Sequence, residues 1–82
     1  MATVTIYSKP GCHLCEVAAA VIEKVRCDTA FELEKVDIRR DRDLMALYGE
    51  KIPVIHVNGR TAFQFEVDEG RLRRLLKEEV SE

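Results

Sequence analysis

Apolar and polar positions alternate between short extended runs and helical stripes along the whole chain. Thr3 to Ser8 combines Val, Ile, Tyr and Thr, stops at Pro10-Gly11, and reads as a first strand. From Leu14 the apolar positions are Leu14, Val17, Ala18, Val21, Ile22 and Val25. Those offsets of three and four predict an amphipathic helix with one buried face. Phe31 to Ile38 predicts a second strand, with Phe31 and Leu33 in one phase and Val36 and Ile38 in the other, so a bulge or a short strand is expected there. A short helix near Asp41 to Tyr48 should turn Leu44, Leu47 and Tyr48 inward and stop at Gly49.

Ile52-Pro53-Val54-Ile55-His56-Val57 then runs into Asn58-Gly59. Asn-Gly between two apolar runs predicts a type I′ hairpin, because both residues tolerate positive φ. The partner strand is expected over Thr61 to Phe65, with Phe63 and Phe65 on one face. Asp68 is placed to cap a last helix, with Val67 and Leu72 at staple spacing, Leu72, Leu75 and Leu76 inward, and Arg71, Arg73, Arg74 and Lys77 on a solvated side. The order is β-α-β-α-β-β-α. The first β-α-β should be a right-handed parallel crossover and the hairpin is antiparallel, so the sheet is mixed.

Length fits one domain over 1–82. With 46% apolar and 34% charged residues the composition is that of an ordinary globular domain. Thirteen basic and fifteen acidic side chains leave a net charge of −2, which argues against nucleic acid or an anionic membrane as principal partner. No apolar run reaches the ~18 residues of a membrane span, and the start of the chain does not read as a signal peptide. Three cysteines, Cys12, Cys15 and Cys27, are an odd count. Together with the absence of an export signal they point to a reducing, cytoplasmic compartment. Nothing in the composition demands a dimer, and a monomer is expected.

The chemistry sits where the first strand hands over to the first helix. Pro10-Gly11-Cys12-His13-Leu14-Cys15 occupies that junction, and one helical turn between the cysteines puts both sulfurs on one side, close enough for a disulfide. A helix N-terminus offers unpaired N–H groups and partial positive charge, which favour a thiolate. The macrodipole supplies only ~0.3–1 kcal/mol against ~1.4 kcal/mol per pKa unit, so the dipole alone moves a thiol by less than about one unit. A larger depression needs N–H···S⁻ bonds from residues such as Leu14 and Cys15, or the charges of Lys9 or His13. Cys12 is then the exposed nucleophile and Cys15 the shielded resolving thiol.

Strand–Pro10-Gly11-Cys12-x-x-Cys15–helix, the preceding Lys9, and Ile52-Pro53 leading into a strand and Asn58-Gly59 resemble the glutaredoxins of the thioredoxin-fold superfamily. The resemblance covers nearly the whole chain. It implies an α/β, thioredoxin-like fold with a four-stranded mixed sheet flanked by helices. It also implies a cis Pro53, an Ile52 backbone that pairs with the substrate's cysteine, and a Lys9 that meets a glutathione carboxylate. Two features depart from the family pattern. His13-Leu14 replaces the usual Pro-Tyr, and Thr61 to Asp68 contains no Gly-Gly for the γ-glutamyl end of glutathione, leaving Asp68 as the residue able to meet an amino group. Glutathione is therefore expected to be the poorer reductant, with no bound cofactor. The function implied is dithiol–disulfide oxidoreduction of protein or small-molecule disulfides, with a separate thiol reductant such as glutathione or a thioredoxin-type reductase. The alternative is a metal or iron–sulfur carrier, in which His13, Cys27 or a second subunit would complete a site begun by Cys12 and Cys15. His56 reads as a packing residue, Cys27 as a free thiol, and Tyr7 as a groove-lining candidate.

Overall fold

A computed structural model describes residues 2–80. Four strands and three helices follow in the order β1 (Thr3–Ser8), α1 (His13–Arg26), β2 (Glu32–Asp37), α2 (Arg42–Tyr48), β3 (Val54–Val57), β4 (Arg60–Gln64) and α3 (Glu69–Val80), with a 3-10 turn over Ile38–Arg40. The sheet order is β2-β1-β3-β4. β1 pairs parallel with β2, from Thr3↔Glu32 to Ser8↔Asp37. β1 with β3, and β3 with β4, are antiparallel. The parallel pairing sets the C-terminal ends of β1 and β2 side by side, beneath the start of α1.

Alternation along β1 sends Val4 and Ile6 to one face of the sheet, where they meet Ala18, Ile22 and Val25 of α1, Ile55, Val57 and Phe63 of the hairpin, and Leu72 and Leu76 of α3. Most of these side chains are fully buried, and together they form the main core. Val67 and Leu75 pack against it half-buried. Tyr7 lies on the opposite face, with rings of Tyr48 from α2 and His56 from β3 at centroid distances of 5.1 and 4.9 Å. A second apolar cluster at that end joins Cys15, Ile38 and Ile52, with Tyr7, Cys12, Leu44 and Tyr48 against it.

Local chemistry closes each element. Asp41 caps α2, its carboxylate accepting from the Asp43 and Leu44 amides at 2.8 and 3.4 Å. Asp68 caps α3, accepting the Arg71 N–H at 3.1 Å. Asn58 and Gly59 have φ of 51° and 83°, as a type I′ turn requires, and the Asn58 carboxamide oxygen accepts the Thr3 N–H at 2.9 Å.

Several expectations from the periodicity need correcting. Leu14 and Val17 are 44% and 49% exposed, because α1 turns Cys15, Ala18, Ile22 and Val25 to the sheet and leaves the other edge of the apolar stripe uncovered. Leu47 is 59% exposed, since the two-turn α2 covers the sheet only through Leu44 and Tyr48. Of the two alternatives expected for the second strand, the short strand holds and the bulge does not: it pairs with β1 in continuous register over Glu32–Asp37, and Phe31 and Ile38, whose phases conflicted, lie just outside it. The irregularity falls instead in the hairpin, where Ile55↔Phe63 is followed by His56↔Thr61. β4 ends at Gln64, and Phe65 leaves the strand with φ 69° rather than pairing beside Phe63. Gly49 closes α2 in right-handed conformation; a Cβ there would stand 2.5 Å from the Met45 carbonyl oxygen, so close approach is what calls for glycine. Arg73 is half-buried rather than solvated, pairing with Asp28 at the end of α1 and with Glu69 at 3.2 Å.

Candidate active site at the start of the first helix

Gly11, at φ 82°, turns the chain out of β1 in a conformation that disfavours larger residues. Cys12 follows in extended conformation as the N-cap of α1, in the place usually held by Ser, Thr, Asp or Asn. Its sulfur takes the role of a capping oxygen: Cys12 Sγ accepts the Cys15 N–H at 3.2 Å. The Leu14 amide, the other expected donor, makes no such bond. Cys12 and Cys15 have Cα atoms 5.2 Å apart and their sulfurs are joined as a disulfide. Burial separates the two: Cys15 is 5% exposed against Ile38 and Ile52, whereas Cys12 is half-buried at the surface. The sulfur at position 12 therefore has an amide donor and a helix terminus facing it, and an approach from solvent.

A cleft of about 340 Å³ opens on the β2 side of the pair, walled by Ser8 to Cys12, Cys15, Glu16 and Ala19 on one side and Lys35, Val36 and Asp37 on the other. Lys9 lines this cleft, while His13 is exposed on the helix and is not part of its wall. Asp37 is held by Arg39, whose Nε and Nη2 donate to its carboxylate at 3.0–3.3 Å, and this pairing keeps the carboxyl below its usual range. Lys35 Nζ stands 3.7 Å from Glu23. Sequence reasoning missed Lys35 and Asp37, although the parallel crossover contained the signal: the end of β2 must lie level with the Ser8-to-Cys12 turn.

Ile52 and Pro53 lie on the β3 side, joined by a cis peptide bond. The Ile52 side chain packs with Cys15, and the Pro53 carbonyl accepts the Phe65 N–H at 2.8 Å. Asp68 is engaged at the N-terminus of α3. Tyr7, against the dithiol cluster, has its hydroxyl pKa raised by burial first, and then by Tyr48 and Glu34. His56, whose Nε2 lies 3.1 Å from Thr61 Oγ1, has its pKa lowered by burial. Cys27 is a free, exposed thiol at the far end of α1, about 20 Å along the helix from Cys12. Among the described residues, no three His, Cys, Asp or Glu side chains are grouped to hold a metal ion.

Residues 3–77 match the family model described as the Glutaredoxin-like domain (DUF836). The chain belongs to this glutaredoxin-like family. A solved structure of the protein XcR50 from X. campestris is 32% identical to this glutaredoxin-like chain, with a TM-score of 0.75 over 92% of this chain and 96% of that one. The Mycobacterium tuberculosis protein Rv0508 is 28% identical over 75 residues, spanning 85% of this chain and 77% of the relative. A mutant thioredoxin from Halobacterium salinarum, 21% identical, superposes with a TM-score of 0.66 over 94% of this chain and 73% of its own. That last likeness speaks to fold alone. The glutaredoxin-like chain thus has the thioredoxin-like fold that its sequence implied, with the Cys12–Cys15 pair at the junction of β1 and α1.

Proposed function

We propose that the protein is a thiol–disulfide oxidoreductase in which Cys12 is the nucleophile and Cys15 the resolving thiol. The observation that carries this reading is the asymmetry of the pair. Cys12 Sγ caps α1 through the Cys15 N–H at 3.2 Å and reaches solvent, while Cys15 is buried within bonding distance behind it.

In the reduced protein the Cys12 thiolate attacks one sulfur of a substrate disulfide. The substrate S–S bond breaks, a Cys12–substrate disulfide forms, and the first substrate sulfur leaves as a thiolate that takes a proton from water. Cys15, giving up its own proton, then attacks Cys12 Sγ. The second substrate thiol departs and the Cys12–Cys15 disulfide remains. Two electrons have passed from the dithiol to the substrate, and an external thiol reductant must return them. The electrostatic contribution of the helix terminus is modest, ~0.3–1 kcal/mol, so the amide bond to the sulfur supplies the rest of the thiolate's stabilisation. Lys9 lines the same cleft as Cys12 and adds a positive charge to its wall.

Glutathione is the poorer reductant on this reading, because Thr61 to Asp68 carries bulky side chains and no Gly-Gly to let the backbone approach a γ-glutamyl group. A metal carrier built on Cys12 and Cys15 would need ligands from another chain, since among the described residues neither His13 nor Cys27 groups with the two cysteines as a metal-holding set. The test is turnover of a small mixed disulfide by wild type and by Cys12→Ser with dithiothreitol as reductant. Loss of activity in the variant is expected, and equal rates would overturn the assignment.

A further inference from the structure

Phe65 is placed at odds with its chemistry. Its φ of 69° lies in the left-handed region, where a bulky residue is an outlier. Its side chain is 45% exposed and belongs to neither apolar cluster. Such outliers concentrate at functional sites. Phe65 is also tied to the dithiol: its N–H donates to the Pro53 carbonyl at 2.8 Å, and Ile52, one residue earlier, packs on Cys15.

The neighbouring helix repeats the pattern. Leu14, between the two cysteines, and Val17, one turn on, are 44% and 49% exposed. Val17 and Lys24 are seven residues apart and so share a face of α1. Lys24 Nζ stands 3.2 Å from Glu69 in the first turn of α3. The Val17 face therefore looks toward the segment that carries Phe65 into α3. Leu14 and Val17 thus lie on the flank of α1 opposite Glu16 and Ala19, which wall the charged cleft, and Phe65, bonded to Pro53, is a further exposed apolar side chain.

We infer that Phe65 is a specificity-determining residue of this site: with Leu14 and Val17 it seats an apolar side chain next to the cysteine of a disulfide-bearing polypeptide. This rests on the oxidoreductase reading above. The occupant is a polypeptide rather than a small charged thiol for two reasons. Phe65 offers apolar surface and no charge. Ile52 precedes the β3 ladder, which begins at Val54, so its main chain borders the dithiol as the continuation of a strand, along which an extended segment can lie.

The test uses two synthetic hexapeptides, each dimerised through one cysteine and identical except that leucine or serine flanks that cysteine, with dithiothreitol as reductant. Wild type is expected to favour the leucine peptide by about tenfold in kcat/KM. In Phe65→Gly, checked for folding by circular dichroism, the ratio should fall to within about twofold, with the loss on KM rather than kcat. Phe65→Leu should keep most of the preference. Equal turnover of both peptides by wild type, or a full preference retained in Phe65→Gly, would overturn the role of Phe65 and leave the oxidoreductase reading standing. Wild-type turnover no faster than that of Cys12→Ser on both peptides would overturn both.

Discussion

Ile38→Ala is the substitution that bears most directly on how the dithiol is supported. Ile38 is fully buried in the 3-10 turn after β2 and packs in one cluster with Cys15 and Ile52. The change removes three carbons. At ~0.8 kcal/mol per buried methylene the transfer loss is about 2.4 kcal/mol, and the cavity left behind raises the total to about 3–4 kcal/mol. A chain of this length is expected to hold only ~4–12 kcal/mol of stability, and each kcal/mol moves Tm by ~4–8 °C. The variant should therefore melt more than about 10 °C below wild type, measured in the oxidised state by circular dichroism. Ile22→Ala, equally buried in the main core, should cost a similar amount. The two should differ in thiol chemistry. After reduction, Ile38→Ala should expose Cys15 to iodoacetamide, and Ile22→Ala should leave it as shielded as in wild type. Leu47→Ala, on an exposed side chain, should cost less than about 0.5 kcal/mol. A loss below about 1 kcal/mol for Ile38→Ala, or unchanged Cys15 labelling, would refute the claim that this cluster seats the resolving thiol.

Further outcomes follow from the turn and the ion pairs. Gly59, at φ 83° with open space around its Cβ position, pays only a backbone cost when substituted, so Gly59→Ala should destabilise by ~1–2 kcal/mol in urea titration without altering thiol reactivity. Asp28 and Glu69 have their pKa values lowered, the first chiefly by its hydrogen bond to Arg73 and the second by those to Lys24 and then Arg73. Because the folded values lie below the unfolded ones, this stabilisation is complete above the ordinary carboxylate pKa of about 4 and is lost as pH falls through the lowered values. Arg73→Ala should therefore flatten the decline in Tm below about pH 4; an acid limb as steep as that of wild type would show that the network contributes nothing.

The elements that local chemistry dictates were legible in the sequence: the strand ending at Pro10-Gly11, the Asn58-Gly59 turn, and the Asp41 and Asp68 caps. The cysteine pair was legible for the same reason, since three residues at a strand-to-helix junction fix their own geometry. What periodicity could not resolve was which edge of an apolar stripe is covered. Leu14, Val17 and Leu47 fit a helical face as well as Ile22 does, but α1 fully buries only Cys15, Ala18, Ile22 and Val25, and the two-turn α2 packs inward only through Leu44 and Tyr48. Phe65 misled because alternation with Phe63 assumes the strand continues, whereas the bulge and the bond to Pro53 end the pairing at Gln64. The pairing of Arg73 with Asp28, 45 residues away, leaves no trace in a one-dimensional pattern.

The pH dependence of Cys12 alkylation in the reduced protein tests the central claim most directly. A free cysteine titrates near pH 8.5. A sulfur that caps α1 and accepts the Cys15 amide should react with iodoacetamide along a titration whose midpoint lies well below that value, with Cys15 labelled far more slowly. A midpoint at or above about 8.5, or Cys15 reacting first, would contradict the account.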